Sequence, residues 1–260
     1  MRILVTFAVE AEFAPWRKLR EFRAIRVTPQ RDSGPTEIWE TSVGSVSVSV
    51  YLTGIGGRLP HDAMLFREAF YEKKTDFAIS SGLAGSLKPD CVPGNVLAVV
   101  QTSTAGGRDV SSADPALLRR AEAGGAVIVQ RLLTVDRIVG KKEEKAQLSL
   151  VADAVDMESA LLMKDFAQAQ VPAITIRAVS DGHAEDMPID FGRCITNEGK
   201  VRPPQLFMEL ASHPTSIPSL IRFGQQSKKA AANLVSFLDA FISSLPDSVA
   251  SQRIHEVMAQ

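Results

Sequence analysis

The sequence has little cysteine, little histidine and almost no excess of charge. Two cysteines, Cys91 and Cys194, in 260 residues cannot build a disulfide framework, so free thiols in a reducing compartment are expected. A formal net charge of −1, from 29 basic and 30 acidic residues, gives no electrostatic grip on nucleic acid or on an anionic membrane. His61, His183, His213 and His255 are scattered, and neither cysteine joins a ligand-spaced pair, so no metal site is expected. A serine or cysteine nucleophile has no support, because no nucleophile-elbow pattern is present. No stretch is long and apolar enough to span a bilayer. In the opening MRILVTFAVEAEF, Arg2 precedes an apolar run, as in a secretion signal. Glu10 and Glu12 cut that run short, and no small-residue cleavage site follows. A soluble, cytoplasmic protein is the expectation.

What is present is enough apolar matter, 45% of residues, for a sizeable core. RILVTFA (2–8) is a continuous apolar run, as expected of a strand covered on both faces. AEFAPWRKL then reads as a helix with Pro15 in or near its first turn. TEIWETS and GSVSVSVYLTGIGG read as two strands joined near Gly44, the second alternating valine and serine. A helix is expected over 57–73, a strand at 76–87 running into a glycine turn, and another in GNVLAVVQTS. DPALLRRAEA (114–123) opens on an Asp-Pro helix start. AVIVQRLLTVD and VPAITIRAVSD (171–181) read as strands that end on polar residues, and KKEEKAQLSLV between them is a weaker helix. Residues 186–222 carry five prolines, Pro188, Pro203, Pro204, Pro214 and Pro218, and should form loops and short helices. A long amphipathic helix follows over 219–245, with Gly224 as a candidate break.

Strands alternating with helices argue for an α/β fold with a central mixed sheet, much of it parallel and flanked by helices. No repeat and no shift of composition marks a second domain, so residues 1–260 are expected to form one. In such folds ligands sit beyond the carboxyl ends of strands. The polar residues there are Glu10, Glu12, the TGIG turn at 53–56, Ser80 to Gly85, Asp136, Ser180 and Asp181. The TGIGG and SSGLAGS turns could bring backbone N–H groups to a ligand. They lack the dinucleotide fingerprint and the phosphate-loop lysine, and alone they read as tight structural turns. VDMESA (155–160) precedes an apolar run, and its acids suit the start of a helix. Carboxylates remain the best candidates for chemistry.

FAVEAEF, TGIG, SSGLAGSL with VPGNVLAV, VDMESA and IRAVSDGHAED, in that order, resemble the nucleoside phosphorylase/nucleosidase superfamily. The likeness covers about residues 1–186 and is strongest to the methylthioadenosine/S-adenosylhomocysteine nucleosidase branch. It implies a three-layer αβα, phosphorylase/hydrolase-like fold and cleavage of an N-ribosidic bond through an oxocarbenium-like sugar. Asp181 stands where the family places the acid that protonates the leaving base. An ordinary aspartate is ionised at neutral pH, so that role requires burial or a hydrogen bond favouring the neutral form. Glu12 matches the glutamate that activates water, a division of labour akin to that of inverting glycosidases. Glu158 matches the acid that binds the ribose hydroxyls and Met157 the residue packed on the sugar. Ser180 and Arg177 take supporting positions, Ile138 and Val139 the base-stacking segment, and Ala84 and Gly85 the glycine turn. Asp156 is left to the helix.

Phosphorylases of this superfamily carry a phosphate-binding arginine on the strand before the glycine turn. Here Ser80 stands there, which favours water, although Arg58 or another arginine could reach the site. Leu83 and SDGHAED depart from the nucleosidase branch. The tail from Met187 resembles that of hopanoid-associated members, which remove adenine from adenosylated hopanoid precursors. Phe191, Leu206, Phe207, Met208 and Leu210 would then line an apolar route at the 5′ side of the sugar, or simply pack over the core. The resemblance implies a small-molecule purine nucleoside as partner, with or without an apolar 5′ substituent. It implies no metal or organic cofactor, and a homodimer or higher homo-oligomer. Phosphorolysis and a non-catalytic nucleoside-binding protein are the alternatives.

Overall fold

A computed structural model describes residues 1–27, 36–56, 75–107, 109–189, 191–194, 196, 202, 208 and 216–258. The expected helix over 57–73, Arg58, and Leu206, Phe207 and Leu210 lie outside the described residues. The elements in chain order are β1 (Arg2–Phe7), α1 (Glu10–Leu19), β2 (Arg23–Val27), β3 (Thr36–Val43), β4 (Val46–Leu52), β5 (Phe77–Ser86), β6 (Val96–Thr104) and β7 (Ser111–Ser112). Then follow α2 (Pro115–Ala123), β8 (Val127–Thr134), α3 (Lys142–Leu148), β9 (Ala154–Asp156), α4 (Ser159–Gln168), β10 (Ala173–Asp181), α5 (Phe191–Cys194) and α6 (Ile217–Met258).

The strands form one mixed sheet. Strands β4, β1, β5 and β10 run parallel side by side. Antiparallel β3 and β2 extend the sheet beyond β4, through a hairpin whose turn holds Gly44 at φ 60°. On the other side β10, β6, β8, β9 and β5 pair in succession, and β10 also pairs with β5. Those five strands therefore close on themselves, leaving β1, β4, β3 and β2 as an open wing.

Helices cover both faces. Ile3, Val5 and Phe7 of β1 pack with α1, α2 and α6 in one core cluster. Leu4, pointing the other way, joins Leu162, Met163 and Phe166 of α4 in a second. This alternation explains why β1 is apolar at Ile3, Leu4, Val5 and Phe7: both of its faces are buried. Helix α6 lays Ala230, Leu234, Leu238 and Ile242 on the sheet, one residue per turn. Its Asp239 accepts from Trp16 Nε1 at 3.1 Å and pairs with the Arg20 guanidinium, fastening α1 to α6. The helix passes through Gly224 without a break. Pro15 lies inside α1 rather than in its first turn, where it withholds one N–H from the ladder.

Candidate active site

The parallel strands end together. Ala8 and Val9 after β1, Ile55 after β4, Leu83 to Gly85 in β5, Asp156 at the end of β9, and Ser180 and Asp181 at the end of β10 line one cavity of about 270 Å³. Val135, Arg137, Ile138 and Val139 complete it with Val155, Met157, Glu158, Met187, Phe191, Phe223 and Glu12. A crevice beyond the carboxyl ends of strands is where an open α/β sheet holds its ligand.

Glu12 lies in the first turn of α1, yet it is 8% exposed. Its Oε2 accepts from the N–H groups of Ala8 (2.9 Å) and Val9 (3.3 Å), and Oε1 from that of Leu83 (2.8 Å). Gly82 makes this approach possible. A Cβ there would stand 2.2 Å from Arg177 Nη1 and 3.0 Å from Glu12 Oε1, and its φ is 145°. Burial pushes the Glu12 carboxyl above the ordinary glutamate range, against the pull of the Arg177 charge and the three N–H donors.

Arg177 is fully buried in the middle of β10. Its Nε donates to Asp156 Oδ2 at 2.9 Å, its Nη2 lies 2.8 Å from the same oxygen, and Glu158 Oε2 lies 3.8 Å from Nη2. Nη2 also donates to Ser159 (2.9 Å) and Ser80 (3.3 Å). Nη1 is buried without a hydrogen-bond partner. Asp156 caps α4 by accepting from the Ser159 N–H at 3.1 Å, and receives Thr134 Oγ1 at 2.7 Å. Glu158, at the N-terminus of α4, does not cap it. Its side chain accepts from Gly56 N–H at 3.1 Å instead. Its carboxyl is pushed up to about 8, first by burial and then by the Asp156 charge. Arg177 opposes this rise, and Glu12 adds to it.

Asp181 is set differently. The register of β10 on β5 shifts between Val179, opposite Ala84, and Asp181, opposite Gly85. A bulge of this kind re-aims the side chains at a strand end. Asp181 is 2% exposed. Its Oδ1 receives the Ser180 hydroxyl at 2.6 Å and its Oδ2 the Lys145 ammonium at 2.5 Å. Gly85 leaves room for it, since a Cβ there would come within 3.2 Å of Oδ2. The turn after β10 is closed by Glu185, which accepts the Gly182 N–H at 3.1 Å.

The cavity thus gathers Glu12, Met157, Glu158, Ile138, Val139, Ser180, Asp181, Ala84 and Gly85. Arg177 lies behind it and touches it through Asp156 and Glu158. Glu10 is turned away, paired with Arg17 at 3.2 Å, and Asp136 does not line the cavity. Asp156, assigned to the helix alone, both caps the helix and lines the cavity. Phe191 lines the cavity, whereas Met208 is 68% exposed. Phe223 and Met187 were not singled out in the sequence, and neither was Lys145. Among the described residues no group of three or more His, Cys, Asp or Glu side chains is placed to hold a metal ion. Among the described residues no helix is long and apolar enough to cross a membrane.

No curated protein matches the sequence significantly. Solved structures do match. A futalosine hydrolase mutant of Helicobacter pylori strain 26695 aligns at 18% identity and TM-score 0.65, over 93% of this chain and 98% of that one. The 5′-methylthioadenosine/S-adenosylhomocysteine nucleosidase of Neisseria meningitidis, in complex with methylthio-immucillin-A, aligns at 21% identity and TM-score 0.66, over 94% and 99%. That of Helicobacter pylori, with butyl-thio-DADMe-Immucillin-A, aligns at 17% identity and TM-score 0.67, over 93% and 97%. Identities this low establish a shared fold. The family is established by the sequence itself: residues 2–243 match the phosphorylase superfamily, and the chain belongs to that superfamily of enzymes.

Proposed function

We propose that the chain hydrolyses the N-glycosidic bond of a purine nucleoside in this cavity. The observation that carries the reading is that two buried acids with different surroundings, Glu12 and Asp181, line one pocket whose walls are otherwise largely apolar, with Asp156 and Glu158 beside Glu12. Asp181 would protonate the departing purine while Ile138 and Val139 cover the base beside Ala84 and Gly85, with Ser180 orienting the carboxyl. Met157 would pack on the ribose and Glu158 hydrogen-bond its hydroxyls, and once ionised its negative charge would favour a cationic sugar. Glu12 would take the proton of the attacking water. Raised by burial, its carboxyl is a better base than an ordinary glutamate. Arg177, through Asp156 and Glu158, positions the sugar side. The fold shared with nucleosidases and a futalosine hydrolase supports the same reading.

Water is favoured over phosphate by charge. Ser80 stands where the arginine of a phosphorylase is expected. Arg137 is the one cation among the described lining residues, and its guanidinium is already engaged by Glu144 at 3.0 and 2.5 Å. A phosphate dianion would have to enter beside Glu12, Asp156 and Glu158. Met187, Phe191 and Phe223 form an apolar wall, the two rings 5.0 Å apart, which suits an apolar 5′ substituent, either a small thioether or a longer chain. We read the chain as one cytoplasmic domain, with 186–222 as its variable segment, acting as a homodimer or higher homo-oligomer.

The test is adenine release from 5′-methylthioadenosine with and without inorganic phosphate. Release in phosphate-free buffer is expected. Strict dependence on phosphate would replace hydrolysis by phosphorolysis, and purine binding without release would leave a binding protein. A panel of adenosine derivatives with 5′ groups of increasing apolar length then separates a thioether substrate from a lipid-like one.

A further inference from the structure

Lys145 belongs to the short helix α3, in the stretch KKEEKAQ. Its neighbours Lys141 and Lys142 are exposed, while Lys145 is fully buried. It does not line the cavity. Its Nζ donates to Asp181 Oδ2 at 2.5 Å, to Gly182 O at 2.8 Å and to Glu185 O at 3.1 Å. Three acceptors match the three hydrogens of an ammonium. An amine would turn its lone pair toward one of these oxygens. Asp181 in turn uses both oxygens as acceptors, from Ser180 and from Lys145. This geometry suits a carboxylate where an acid is needed, with a proton donor one hydrogen bond behind it.

Stability gives a poor reason for this ammonium. A buried ion pair is often no more stabilising than apolar residues of similar volume. Lys145 does fasten the turn at 182–185 to α3, but the flanking segments are already joined by a neutral bond, Met187 N–H to Gly140 O at 2.8 Å. The feature particular to Lys145 is a proton held against Asp181 Oδ2, the carboxylate oxygen nearer to where a Cβ of the cavity-lining Gly85 would stand.

We propose that Lys145 is the positioning residue that supplies the proton Asp181 gives to the departing base. The proposal rests on the nucleosidase reading above. As the C1′–N9 bond breaks and its electron pair moves into the purine ring, Asp181 Oδ2–H breaks and N7–H forms. The carboxyl is supplied by Lys145: Nζ–H breaks and Oδ2–H forms, leaving a neutral amine. On the sugar side the water O–H breaks toward Glu12 as O–C1′ forms. Turnover leaves Glu12 with one proton more and Lys145 with one fewer, and exchange with solvent after product release restores both.

The test uses the full chain and two substrates, 5′-methylthioadenosine and 4-nitrophenyl β-D-ribofuranoside, whose nitrophenolate leaves without a proton. Lys145→Met should lower kcat for adenine release by roughly 10²-fold with KM little changed, a loss typical of general acid catalysis. Release of nitrophenolate should be nearly unaffected. In an Asp181→Asn background the same substitution should cost nothing further, because the lysine acts through the aspartate. Lys145→Arg guards against a folding defect. It keeps the charge and the donors but cannot give up a proton, so adenine release should stay low. Equal losses on both substrates, multiplying losses in the double variant, or rescue by arginine would each overturn the proposal and leave Lys145 a structural clamp. If the unaltered chain releases no base from any nucleoside, the nucleosidase reading itself fails. If it does so and Lys145→Met matches it, only the lysine proposal fails.

Discussion

Two buried clusters of charge border one cavity, and they are balanced in opposite ways. Around Arg177 stand three carboxylates, Glu12, Asp156 and Glu158, to a single guanidinium. Around Asp181 a single carboxylate meets a single ammonium. The first cluster cannot ionise fully without an excess of negative charge; burial raises both Glu158 and Glu12, and the Asp156 and Glu12 charges add to the rise at Glu158. The second is neutral as a pair, with the Ser180 hydroxyl and the Lys145 ammonium each against one Asp181 oxygen. An anionic cluster suits a sugar that becomes positive and a water that must lose a proton. A proton-rich pair suits a base that must gain one. Fixed groups placed where charge will develop are the largest lever an active site has, and under the proposed hydrolysis these two clusters would serve two halves of one reaction.

The contrast is broken most directly by removing one acid at a time. Asp181→Asn should lower kcat on a purine nucleoside by roughly 10²–10⁴-fold, and Glu12→Gln by a similar factor. The leaving group separates them. On 4-nitrophenyl β-D-ribofuranoside the Asp181 variant should recover most of its rate, since no base needs a proton, whereas the Glu12 variant should stay slow. Equal behaviour of the two variants on both substrates would mean that the clusters do not divide the work.

A second measurement sharpens the sugar side. Glu12 must be ionised to accept a proton, so the rate should rise with pH as Glu12 loses its own. Burial raises that carboxyl, and the acid limb of kcat/KM should therefore lie above the ordinary glutamate range. A limb at or below that range would argue that Glu12 is not the base.

Much of this was legible beforehand, for identifiable reasons. The strands β1 and β10 declare themselves because they are buried and mostly apolar, and β5 because its apolar start runs into a glycine turn. Helix α2 is announced by Asp114, which accepts from the N–H groups of Ala116 and Leu117 ahead of a favourable Pro115. Glu12, Glu158 and Asp181 were reached through the family resemblance, and no local pattern would have told them from helix-start acids. What escaped is tertiary. Strand β9 has three residues, too few for any periodicity, and exists because β8 and β5 pair with it. The register shift at Val179 and Asp181 depends on the partner strand. Lys145 sits in a run that reads as a solvated face, and only the loop after β10 folding over α3 buries it. The same holds for Arg177, where the neighbouring residues ITI and AVS give no hint that a guanidinium is held by Asp156.

The smallest effect is the most specific to the three-against-one imbalance. Glu158 has a carboxyl raised to about 8 in the fold from an ordinary value of 4.5. Between those two values the folded chain holds a proton there that the unfolded chain has released. Stability must then fall as pH rises through this window, and level off above it. The Asp239 carboxylate, lowered by Arg20, acts with the opposite sign and at more acid pH, so it does not mask the trend. Glu12 is raised as well and adds a drop of the same sign. Glu158→Gln should therefore flatten the fall without abolishing it. The gain should be greatest near pH 8 and absent near pH 4, read as the difference in Tm between variant and unaltered chain. If that difference is the same at every pH, Glu158 is not short of protons, and the sugar side is no more acidic than the base side.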